Sequence, residues 1–158
     1  MFSKKITIIY IALLFFTFVS NRFATEGISA PVLEEMAKYH QILLKEKNDK
    51  IDTSQIVSIL NKGKSSKKDL ETIKKAIPIA EKLGKSKDLE EQRKYYSELT
   101  EAVSSFAGSE DKSGVNIFYC PMVKKKWMAK GDKIENPYGK DMRECGEKIE
   151  NPKSGVRN

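Results

Sequence analysis

The chain has 158 residues and a mass of 18.0 kDa, with 32% charged and 39% hydrophobic residues and a mean hydropathy of −0.51. That length bounds it to one small domain with short additions, and that hydropathy excludes a polytopic membrane protein. A net charge of +7 comes with one histidine and two cysteines, too few for a paired-CxxC or HExxH zinc site; GxGxxG, GxxxxGK[ST] and GxSxG are absent as well.

Lys4 and Lys5 precede an uncharged, apolar run over residues 6–19. A membrane span needs about 20 apolar residues, so this run fits the core of a secretory signal peptide. Residues 1–24 are predicted to be a signal peptide or, uncleaved, a signal anchor. Ser20 and Ala24 are small residues at a usable distance for cleavage, and no cysteine follows the run to carry a lipid. Loss of this segment removes Lys4, Lys5 and Arg22 and no acid, which lowers the net charge from +7 to +4. The expectation is a periplasmic or otherwise exported protein that binds no nucleic acid and touches membrane only if the anchor is retained. Lysines scattered among glutamates read as solvated helix faces. An oxidising compartment also permits Cys120 and Cys145 to pair.

Residues 25–31 read as a linker, with Pro31 suited to the first turn of a helix. Val32, Met36, Tyr39, His40, Leu43 and Leu44 form a helical stripe running to about Lys47, with His40 at the core boundary. Asp52 or Thr53 caps a second helix carrying Ile56, Val57, Ile59 and Leu60, which stops at Asn61, Lys62 and Gly63. A third helix over 68–83 turns Leu70, Ile73, Ile77, Ala80 and Leu83 inward. Pro78 is expected to kink or split it, and Gly84 to end it. Ser86 or Asp88 caps a fourth helix bearing Leu89, Tyr96, Leu99, Val103 and Phe106, which ends at Ala107 and Gly108. The predicted fold is mainly α: a small antiparallel four-helix bundle with a C-terminal irregular cap containing one or two short strands.

The cap begins where the composition changes. Residues 108–114 (GSEDKSG) read as a flexible connection and residues 115–120 (VNIFYC) as a strand. The domain is predicted over 32–149, its Cys/Met cap over 115–146, with a frayed end from Glu147 and a disordered tail over 150–158. Arg93, beside Tyr95 and Tyr96, is placed to hold the cap by bonding backbone carbonyls or stacking on a ring. Asn136, Pro137, Tyr138 and Gly139 shape a turn: Pro137 pushes Asn136 to an extended conformation and Gly139 permits a positive φ.

Two sulfur pairs stand in the cap, Cys120 with Met122 and Met142 with Cys145. Thiolate and thioether are soft donors that select copper(I) over hard ions. No carboxylate cluster suits calcium, and there are too few Cys and His residues for zinc. The same cysteines support a second reading, a Cys120–Cys145 disulfide. It closes a loop of about 25 residues and stabilises by about 3 kcal/mol in the chain-entropy model. Met122, Trp127, Tyr138 and Met142 are then core of the cap. Catalysis is not expected, because a nucleophilic cysteine needs a base and His40 is the only histidine.

The ordered string of FYCPM, Trp127, ENPYG and M-x-x-CG over 118–146 resembles the signature of domain-of-unknown-function family 3347. The helix segment from Arg93 through Tyr96 and Ser97 to Leu99 is similar to that family's, and the resemblance covers about residues 32–149. It departs between Met122 and Trp127, where the stretch is short and holds Lys124, Lys125 and Lys126, and in a tighter spacing before Met142. The resemblance implies an exported domain that occurs alone or joined to periplasmic adaptor subunits of heavy-metal efflux systems. It therefore implies a copper(I) site at Cys120, Met122, Met142 and Cys145, an adaptor or efflux subunit as partner, and a soft-metal-binding or efflux-accessory role. The alternative is a non-enzymatic envelope interaction domain stapled by the Cys120–Cys145 disulfide.

Overall fold

Four helices form in the predicted order in the computed structural model, which describes residues 27–64, 67, 69–108 and 111–149. The expected signal segment, residues 1–24, and the tail, residues 150–158, lie outside the described residues. Helix α1 spans Ser29–Leu43, α2 Ser54–Gly63, α3 Leu70–Lys85 and α4 Leu89–Val103, followed by a 3₁₀ turn over Ser104–Phe106. Strands β1 (Val115–Cys120), β2 (Lys125–Lys130) and β3 (Glu147–Lys148) form one antiparallel sheet in the order β2-β1-β3. The cap thus holds three strands where one or two were expected, and Glu147 and Lys148 belong to the sheet rather than to a frayed end.

The helix boundaries show local chemistry. Helix α1 starts at Ser29, so Pro31 sits in its first turn, where an N–H has no intrahelical acceptor. Asp52 Oδ1 accepts the Ser54 N–H at 2.9 Å at the start of α2, and Asp88 Oδ1 accepts the Glu91 N–H at 2.9 Å at the start of α4. Pro78 does not split α3. It is exposed, so the carbonyl it leaves unbonded faces water. Gly84 does not end α3, which runs on to Lys85. A Cβ at Gly84 would lie 2.3 Å from Thr53 Oγ1, so glycine here lets the end of α3 approach the start of α2.

Each helix packs on the next, α1 also packs on α4, and β2 lies against both α1 and α4. Register then divides the hairpin into two faces. Ile117 pairs with Met128 and Tyr119 with Lys126 on one face, while Phe118 pairs with Trp127 and Cys120 with Lys125 on the other. The first face meets the helices: Lys126 Nζ lies 2.8 Å from Glu101 on α4. Phe118 and Trp127 on the second face are also fully buried, because the C-terminal segment folds over them. A sheet covered on both sides explains why this strand pair lacks an apolar–polar alternation.

The outer edge of β2 is closed by side chains. In this register the N–H and C=O groups of Lys126 and Met128 point away from β1. The Tyr96 hydroxyl, from α4, accepts the Met128 N–H at 3.1 Å and donates to the Met128 carbonyl at 2.7 Å. The Tyr138 hydroxyl donates to the Lys126 carbonyl. Burial pushes both phenols above the ordinary tyrosine pKa, so both remain proton donors. Two tyrosines thus occupy an edge that would otherwise pair with another chain.

Candidate functional site

The site is the layer that the C-terminal segment lays over β1 and β2. Cys120 ends β1 and Cys145 precedes Gly146, and the two are joined in a disulfide with Cα atoms 5.7 Å apart. Trp127 stacks on Phe118 with ring centroids 5.4 Å apart and meets Tyr138 edge-on at 6.3 Å. Gly146 crosses the indole. Its φ of +156° is one that side-chain-bearing residues rarely adopt, and a Cβ there would lie 2.3 Å from Trp127 Cη2.

Asn136 organises the segment and is fully buried. Its Oδ1 accepts the Tyr138 N–H at 2.9 Å, and its Nδ2 donates to the Cys145 carbonyl at 2.9 Å. Its own N–H donates to the Arg143 carbonyl at 2.8 Å. One side chain therefore shapes the turn at Pro137 and ties it to Cys145, the cap's half of the disulfide. An asparagine matches both demands because its amide offers a donor and an acceptor. Gly139 does not use the positive φ open to it: at −177° it is extended. Its missing side chain makes room instead for Met142, whose Cε would lie 2.8 Å from a Cβ there.

Three side chains fasten the cap to the helices. Arg93 on α4 donates from Nε to the Pro137 carbonyl at 2.7 Å and from Nη1 to Glu90 at 2.6 Å. Arg143 donates from Nη1 to the Asn136 carbonyl at 3.0 Å and from Nη2 to Glu46 at 2.6 Å. Glu46 also lies 3.9 Å from Arg93 Nη2, so one carboxylate bridges both guanidinium groups. His40 on α1 is fully buried and donates from Nε2 to the Glu135 carbonyl at 2.6 Å, while Nδ1 accepts from Gln41 at 3.3 Å, the tautomer following from these partners. Burial, ahead of the pull of Glu135, lowers the pKa of His40 below its ordinary value. These contacts leave His40 a structural group rather than a base beside a thiol.

The predicted sulfur residues therefore divide. Cys120 and Cys145 come together as a disulfide. Met142 sits on the 3₁₀ turn Lys140–Met142, packed over Gly139. Met122 lies in the turn between β1 and β2, 73% exposed, the one exposed large hydrophobic residue among the described residues. Among the described residues no group of three or more His, Cys, Asp and Glu is placed to hold a metal ion. Sequence reasoning missed Arg143, Glu46 and Glu135. Each is a charged residue in a polar stretch, and no local pattern marks it as a tie between segments some hundred residues apart. No protein-family model, curated protein or solved structure matches this chain.

Proposed function

We propose that the chain is an exported, non-enzymatic envelope interaction domain whose cap is stapled by the Cys120–Cys145 disulfide. One observation carries this reading: the only two cysteines in the sequence are paired, and their bond ties the terminal segment to the end of β1 beside the aromatic face of the sheet. Such a pair persists in an oxidising compartment, and a domain this small gains from it. We read its scaffold as an antiparallel four-helix bundle, since successive helices pack on one another and α1 closes on α4. The surface of this scaffold is what it offers to a partner.

A soft-metal role is a second reading, confined to the reduced form. The observation that favours it is that the two sulfurs already share one locus, with Met142 three residues from Cys145. Reduction would free two thiols there for copper(I). An adaptor or efflux subunit, as the resemblance to family 3347 implies, would be the partner in that case. Native mass spectrometry and thermal unfolding of oxidised, reduced and reduced copper(I)-treated protein separate the two. The stapled domain predicts a disulfide in the protein isolated without reductant and a lower Tm on reduction that copper(I) does not restore. Free thiols on isolation, with one copper(I) retained and lost in Cys120→Ser and Cys145→Ser, would replace the first reading by the second.

A further inference from the structure

The loop joining β1 to β2 carries the one exposed large hydrophobic residue among the described residues. Its sequence from Pro121 is Pro-Met-Val-Lys-Lys-Lys. Pro121, Met122 and Lys124 are exposed and Val123 is half-buried, so an apolar apex stands directly beside a basic run. Lys126 is engaged by Glu101. Lys125 extends over the Tyr138 ring at 5.0 Å, and neither Lys124 nor Lys125 has an acidic partner among the described residues. The apex is also held firmly: Cys120, its first flanking residue, is cross-linked to Cys145, and Lys124 turns the chain with a φ of +53°. Met122, 73% exposed, is the apolar side chain that this rigid apex presents to a partner.

We propose that this hairpin apex docks on an anionic phospholipid surface, with Met122 entering the interface and Lys124 and Lys125 lying at the headgroups. The proposal rests on the reading of the chain as an envelope interaction domain and names its contact. Charge complementarity favours lipid as the occupant: two cations without carboxylate partners among the described residues closely follow the exposed Met122, and one thioether matches a shallow interfacial insertion rather than a groove-filling anchor. This contact is separate from the N-terminal apolar run, where the sequence alone would place any membrane contact.

The test uses the full-length chain with a Met122→Trp substitution, on vesicles whose acyl chains carry bromine. Trp127 is fully buried, so bromine quenching reads the apex indole. Vesicles contain either phosphatidylcholine alone or an equal mixture with phosphatidylglycerol, and the N-terminal segment is the same in every arm. The expected result is quenching on the anionic vesicles only, weakened by salt. Lys124→Gln with Lys125→Gln should lower the docked-to-free ratio about twenty-five-fold, at about fivefold per lysine. Equal quenching on neutral vesicles, or no change in the double variant, overturns the proposal. So does an absence of quenching. In that event a disulfide-dependent Tm that persists leaves the stapled domain standing with a protein as its contact, whereas a Tm indifferent to reduction removes the stapled-domain reading as well.

Discussion

Asn136→Ala tests whether one side chain holds the cap. The substitution removes a buried hydrogen bond from the Tyr138 N–H and a part-buried one to the Cys145 carbonyl, each 2.9 Å long. Each bond contributes about 1 kcal/mol, and each backbone group left buried without a partner costs about 1–3 kcal/mol. Partial relaxation of the turn returns some of this, so a net loss of about 3 kcal/mol is expected, or a fall in Tm of roughly 10 °C for a domain of this size. That is as large as the stabilisation of about 3 kcal/mol assigned to the disulfide. Asn136→Asp separates the two bonds. The carboxylate still accepts from Tyr138 but has no proton for Cys145 and turns an oxygen toward that carbonyl, so its loss should be no smaller than that of alanine. Urea unfolding followed by Trp127 emission and by far-ultraviolet circular dichroism reads both variants. A loss below about 1 kcal/mol for Asn136→Ala, with Trp127 emission still blue-shifted, would refute the claim that Asn136 organises the segment. An Asn136→Asp variant as stable as the native chain would refute the role given to the Cys145 carbonyl.

Other outcomes follow from the same geometry. Gly146→Ala should cost about 2–3 kcal/mol and red-shift Trp127 emission, because the added methyl meets the indole at 2.3 Å on a backbone with φ +156°; a neutral effect in urea unfolding would contradict this contact. Arg93→Lys should destabilise by about 2 kcal/mol although the charge is kept, since a lysine has one nitrogen for the two places, Pro137 and Glu90, that the guanidinium bonds; equal urea midpoints would argue against it. His40 makes stability depend on pH. Its folded pKa lies below the ordinary value of 6.5, so the unfolded chain takes the proton first as pH falls. This contribution is complete above about pH 6.5 and is lost as pH drops through that value towards the folded pKa. His40→Gln should flatten the urea midpoint across that window, and a profile unchanged from the native chain would show that another group sets it.

The helices were legible because their apolar residues recur at helical spacing and their ends carry recognisable chemistry. Tyr96, Leu99 and Val103 face inward as that spacing requires, and all are fully buried. Strand β1 was legible from six residues of strand-forming type. Strand β2 was not, because Lys125, Lys126 and Lys130 hide a run whose buried members, Trp127, Met128 and Ala129, are consecutive rather than alternating. A strand buried on both faces loses the period-two pattern by which strands are read. Strand β3 has two exposed residues and exists through its pairing with Phe118 and Tyr119, which no local pattern encodes. Pro78 and Gly84 mark a different failure. Both carry the composition of a helix break, yet one faces water and the other lets two helices meet, so tertiary context overrides the local preference.

The same distinction governs the site. Sulfur residues in the order Cys, Met, Met, Cys describe a soft-metal site and a stapled cap equally well, because sequence order carries no distance. The structure supplies the distance for the cysteines, whose Cα atoms stand 5.7 Å apart, and it separates the methionines by environment. Met142 fills the space over Gly139, the ordinary use of a flexible thioether, whereas Met122 is left in water at the hairpin apex. The residues that look most like chemistry from their type are therefore occupied with holding the fold: the two thiols with each other, and His40 with the Glu135 carbonyl. Met122 is the exception, the one exposed large hydrophobic among the described residues. That is why the apex, rather than the Cys/Met cluster, is where a partner of the oxidised protein should be sought.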